Sequence, residues 1–168
     1  MSKTFLIVAA ALALGALLAL AQPATGDRPL VPYPDGYRAW RHVGSVVNEA
    51  TDKNRATTPH GTIHHLYAND LALEGLRTGA FPEGAVFVAD WFSLKEKYPG
   101  GFEEGARLRL DVMVRDARFA ATGGWGFDQF AGDSITARNV APGAAPKQCF
   151  ECHTRASARG YVFTRPPL

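Results

Sequence analysis

Arg107-Leu108-Arg109-Leu110-Asp111-Val112-Met113-Val114-Arg115 decides the fold. Leu108, Leu110, Val112 and Val114 take one parity; Arg107, Arg109, Asp111, Met113 and Arg115 take the other. Side chains alternate between the two faces of a strand, so this period of two predicts a β-strand with one apolar face. Upstream, Ala85 to Phe92 is mostly apolar, β-branched and aromatic, which reads as a strand buried on both faces. Residues 93–106, charged and glycine-containing, read as the connection between the two. Downstream, Gly123-Gly124 turns the chain into another strand, Trp125 to Phe130, followed by an Ala/Gly/Pro-rich loop over 131–147.

Further out the signals are shorter. Thr62 to Tyr67 predicts a strand, and Asn69 or Asp70 caps a short helix, Leu71 to Arg77, which Gly79 ends. Pro82-Glu83-Gly84 is a turn. Tyr37 to Val47 predicts a short helix running into a strand, and residues 48–60 a polar loop. Cys149 to Ala158 predicts a short helix. There is no internal repeat. Four or five strands with two or three short helices give a β-dominated α+β domain, an antiparallel sheet ending in a C-terminal helix.

The chain has 168 residues, enough for one domain with a real core. Its 17 glycines and 11 prolines are too many for a simple helical bundle, and 46% apolar residues exclude a disordered chain. The 18 basic and 16 acidic residues are mixed along the sequence, for a net charge of +2, so no nucleic-acid footprint appears. Lys3, the apolar run Phe5 to Ala21 and the ending Ala19-Leu20-Ala21 have the layout of a cleavable export signal over residues 1–21. The apolar run falls short of the ~20 residues that span a bilayer. Residues 22–36, with Pro23, Pro29, Pro32 and Pro34, read as an extended lead-in to a domain over 37–168. The expected location is the periplasm.

Cys149-Phe150-Glu151-Cys152-His153 is CxxCH, the attachment signature of c-type haem. Two thiols one helical turn apart add to the two haem vinyl groups, and the adjacent histidine becomes the proximal iron ligand. The expected cofactor is one covalent haem c per chain, held by Cys149, Cys152 and His153. Two other readings stay open: a Cys149–Cys152 disulfide, and a metal site with at most three ligands. A thioredoxin-like site is disfavoured because too few residues follow His153 for the scaffold it needs. No methionine follows His153, so Met113 is the only methionine of the exported chain that offers a sixth ligand.

Several segments, in order, resemble the cytochrome P-460 family, which includes the cytochromes c′-beta. They are Tyr37-Arg38-x-Trp40, His60-Gly61, Tyr67-Ala68-Asn69, Phe81-Pro82-Glu83-Gly84-Ala85-Val86, Val112-Met113-Val114-Arg115-Asp116, Gly123-Gly124-Trp125-Gly126-Phe127 and the terminal CxxCH. The resemblance runs from about residue 36 to 165. It implies a sheet-based homodimer with a five-coordinate haem, His153 on one side and a vacant position on the other. It also implies hydroxylamine oxidation or binding of small ligands such as nitric oxide. In the hydroxylamine-oxidising members a lysine on the strand after the Phe-Pro-x-Gly turn bonds the haem, and Ala89 stands at that position here. Ala89 shares a parity with Phe87 and Trp91, so an apolar, aromatic distal wall without a general base is expected. His64 and His65 point to opposite faces, so one of them can reach the haem environment; His60 and His42 read as loop or unsupported histidines. Arg109 and Arg115 are candidates for the haem propionates, and Trp125, Phe127 and Phe130 for the core, in a neighbourhood that the resemblance would also make a pocket wall. The function expected is a periplasmic cytochrome binding or transforming small nitrogenous ligands, with a redox partner in the same compartment. A coordinately saturated electron carrier, a hydroxylamine oxidase and a non-haem module with a disulfide are the alternatives. Whether it is an enzyme stays open, because binding and turnover share the vacant position.

Overall fold

A computed structural model describes residues 31–165. The expected signal over 1–21 and the start of the lead-in lie outside the described residues. Five strands form one antiparallel sheet in the order of the sequence: β1 (Arg41–Asn48), β2 (Thr62–Ala68), β3 (Val86–Tyr98), β4 (Gly101–Arg115) and β5 (Trp125–Ala131). A 3₁₀ turn, Tyr37–Ala39, precedes β1, and a second, Ala117–Thr122, joins β4 to β5. Helix α1 (Asp70–Thr78) joins β2 to β3.

Asn69 shows how local chemistry fixes a tertiary position. Its Oδ1 accepts from Ala72 N at 2.9 Å, capping α1, and from Val86 N at 3.0 Å at the start of β3. Its Nδ2 donates to Gly84 O at 2.9 Å. One side chain thus ties the helix to the next strand, and Gly79 ends the helix with φ 80°.

Two expectations for the centre of the sheet are corrected. Residues 93–106 are not a connection: β3 runs on to Tyr98, the chain turns at Pro99-Gly100, and β4 begins at Gly101. Charge concealed the strands because this arm needs no buried face. Lys95 and Lys97 instead meet Glu103 across it, at 3.3 and 3.0 Å. Arg107 does not share a face with Arg109. Trp91 pairs with Arg109 and Phe92 with Arg107, so Leu108 is an extra residue, and this bulge turns Arg107 to the opposite face.

Each face has its own core. On one, Ala68, Phe87, Met113, Trp125 and Phe127 pack with residues from the C-terminal segment. On the other, Val88, Leu110, Val112 and Phe130 pack beneath Val31, Tyr37 and Phe119. The end of the lead-in therefore covers the sheet instead of running free. This second face also holds Asp90, 1% exposed, which accepts from Tyr37 Oη at 2.5 Å, Arg107 Nε at 2.6 Å and Arg38 Nη2 at 3.0 Å. Burial, reinforced by Asp90, pushes the Tyr37 hydroxyl well above the usual phenol range.

The expected helix Cys149–Ala158 is a broken helical run. A π-turn, Pro146–Phe150, leads into one α-turn, Glu151–His153, then a 3₁₀ segment, Thr154–Arg159. Cys149 lies in the π-turn; Cys152 and His153 lie in the α-turn.

Candidate cofactor cavity

Between the first sheet face and this helical run lies a cavity of about 730 Å³. That falls within the ~300–1,000 Å³ of pockets that enclose organic ligands. Cys149, Cys152 and His153 line it on one side; Phe87, Ala89 and Trp91 line it from the sheet. The six residues singled out from the sequence thus border one space.

Strand register organises the sheet wall into three rungs. Ala68, Phe87, Met113 and Phe127 are cross-strand neighbours; so are Leu66, Ala89, Asp111 and Gln129; so are His64, Trp91 and Arg109. The wall is therefore apolar at one end and polar at the other. This corrects the expectation of a wholly apolar, aromatic wall without a base. The parity of Phe87, Ala89 and Trp91 is as expected, but adjacent strands place a histidine and a carboxylate beside them. Asp111 is enclosed by protein, and burial holds its carboxyl above the ordinary range despite Arg109. Its side chain is still 31% exposed, because it borders the cavity itself. Burial, aided by Arg109, lowers the His64 pKa and favours its neutral ring. His65 points the other way, with Nε2 2.7 Å from Glu104 Oε1. Arg115 donates to the Gly123 carbonyl and lies over Trp125, away from the cavity lining. Met113 is packed in the wall, buried to 7% exposure.

His153 is held by its backbone surroundings. Its Nδ1 lies 2.8 Å from the Tyr161 carbonyl oxygen, which can only accept, so Nδ1 carries the proton. Nε2 then keeps its lone pair, the arrangement of a metal-ligating imidazole. Burial lowers the ring's pKa, which favours that neutral form. Phe127 and Phe163 flank the ring at 4.8 and 5.1 Å. Tyr161 presents its carbonyl from a left-handed conformation, φ 68°, unusual for an aromatic residue and worth ~1–3 kcal/mol of strain. Trp125 Nε1 donates to Gly160 O at 2.9 Å and ties this loop to the sheet. Nothing in the sequence marked Tyr161, because its role is played by backbone atoms.

These features fit a haem: a cavity of sufficient volume, two cysteines on its border, an imidazole with its outer nitrogen engaged, and an apolar rung opposite. The alternatives find less support. Cys149 and Cys152 are not joined to each other. Among the described residues, no three His, Cys, Asp or Glu side chains converge as a metal site.

The family model described as Cytochrome P460 matches residues 34–164. No curated protein matches the chain.

Proposed function

The chain belongs to the cytochrome P460 family of haem-binding cytochromes, and from that premise we propose that it is a periplasmic c-type monohaem protein binding small nitrogenous ligands of the nitric oxide type. Cys149 and Cys152 would hold the haem through thioethers, and His153 would ligate its iron. When bound, the haem would supply an iron able to take a small ligand. The chain orients it: Tyr161 O fixes the His153 tautomer and Phe127 its ring. Phe87, Ala89 and Phe127 keep water from part of the cavity and favour small, weakly polar ligands. The observation that carries this reading is His153, facing the same cavity as both cysteines with Nδ1 already engaged.

Hydroxylamine oxidation through a lysine cross-link is disfavoured. Ala89 occupies the corresponding position, and no lysine is among the described residues lining the cavity. Lys95 and Lys97 are paired with Glu103 in the β3–β4 arm. The protein works as a homodimer through its sheet, a reading supported by Val46 and Val47, exposed on the edge strand β1.

The test is expression with haem-maturation machinery, followed by intact-mass and visible spectroscopy. One added haem mass, a high-spin ferric spectrum and a nitric oxide complex are expected. Cys152→Ala weakens attachment, and His153→Ala changes the axial field. Absence of haem mass in the wild type overturns the reading, and a low-spin spectrum points to the saturated electron carrier.

A further inference from the structure

The polar end of the cavity is built around one arginine. Trp91 sits between its two cross-strand partners: the His64 ring stacks on it at 3.9 Å, and the Arg109 guanidinium carbon lies 4.0 Å from its ring centroid. Arg109 Nε donates to the two Asp111 oxygens at 3.0 and 3.2 Å. The ring fixes the plane of the guanidinium, and the carboxylate engages its inner edge. The two terminal Nη nitrogens meet no protein acceptor among the described residues, and Arg109 borders the cavity with 32% of its side chain exposed. On the opposite face Arg107, 9% exposed, is engaged by Asp90 and Tyr37. Arg107 thus has its donors taken up, whereas Arg109 keeps two terminal nitrogens to spare.

We propose that Arg109 is a receptor for an anionic oxygen group inside the cavity. A planar group with two oxygens, as in nitrite or a carboxylate, matches the guanidinium fork through paired charge-assisted hydrogen bonds. Trp91 shields one side from water, which strengthens those bonds, and Asp111 offsets part of the positive charge. The chemistry is common to two sources: a small free oxyanion, and a propionate of the haem. The inference deepens the proposed function, resting on it for the presence of the haem but not for the arginine's own geometry.

The test compares the purified wild-type holoprotein with Arg109→Gln, Arg109→Lys and Arg115→Gln. The probe is sodium nitrite, followed by calorimetry and by the haem spectrum. The pH dependence of the midpoint potential is measured in parallel. With a free oxyanion as the ligand, R109Q weakens nitrite binding ~10- to 100-fold, the scale of losing a charged hydrogen-bond pair. R109K recovers part of that loss, and R115Q leaves it unchanged. Nitric oxide affinity of the reduced protein stays within about twofold in R115Q, because Arg115 lies outside the cavity lining. If nitrite affinity is the same in R109Q but the pH dependence of the potential shifts, the anion held is the propionate. If neither changes while circular dichroism shows R109Q folded, the proposal is overturned; R109K provides the same comparison should R109Q not fold. A wild type without haem mass that still binds nitrite through Arg109 overturns the proposed function and leaves this inference standing.

Discussion

The two faces of the sheet carry the same kinds of residue, arginine, aspartate and aromatic, completed in opposite ways. On the face covered by Tyr37, Asp90 accepts from three donors and is closed off from solvent. On the cavity face, Asp111 and Arg109 are paired with each other but remain open to the space before them. A saturated buried cluster fixes structure, whereas a cluster with donors to spare beside a cavity can act on a ligand. One β-ladder serves both purposes because its side chains alternate.

The largest test removes the saturated charge. Asp90→Ala leaves Arg107 and Tyr37 without their acceptor and is expected to cost ~3–5 kcal/mol in denaturant unfolding, the cost of breaking a buried ion pair. Arg109→Ala on the cavity face should cost under ~1 kcal/mol, the range of half-exposed pairs. Equal losses would break the comparison. A smaller effect is expected from Tyr37→Phe. It removes one hydroxyl bonded to both Asp90 and Arg107, for ~1–3 kcal/mol, and leaves the proposed nitric oxide binding intact if the two faces act independently.

The smallest effect concerns pH. Burial raises the Asp111 carboxyl in the folded chain, so the folded state holds that proton more tightly than the unfolded state does. Asp111 therefore withdraws stability as pH rises from its ordinary value of 3.8 through the raised folded value. Asp111→Asn should remove this component of the slope and change stability at neutral pH by no more than ~1 kcal/mol, given the side chain's partial exposure. Thermal unfolding of both proteins between acid and neutral pH checks the sign. A steeper decline with rising pH in D111N would contradict it.

The strands were legible wherever apolar residues alternated, as in Leu110, Val112 and Val114, or ran together, as in Ala85 to Phe92. The helix was legible from its caps, Asn69 and Gly79. The β3–β4 arm was not, since Lys95, Lys97 and Glu103 look like a loop until they are seen facing one another. The side taken by Arg107 was hidden because parity counting cannot locate a bulge. At the site, Cys149, Cys152 and His153 stood out by spacing, Ala89 through the family resemblance, and Phe87 and Trp91 by sharing its parity. Asp111 was visible on the charged face of its strand, but its meeting with Ala89 depends on register between strands, which no single strand records. The Tyr161 carbonyl was beyond reach, since every residue has one.

The sheet order β1-β2-β3-β4-β5 also bears on how the chain reaches this structure. Every strand pairs with the next in sequence, so most loops to be closed are short and the contact order is low for a β protein. Pairing can spread from one hairpin to its neighbours without waiting for distant segments. The β3–β4 arm, joined by a two-residue turn and carrying the longest ladder, is the natural nucleus. The cysteines and histidine come last in the sequence, after every strand that lines the cavity. The wall can thus be assembled while the segment carrying Cys149, Cys152 and His153 is still undocked. Refolding of His153→Ala should then keep the wild-type rate, and a substitution weakening the β3–β4 ladder, such as Val88→Ala, should slow it.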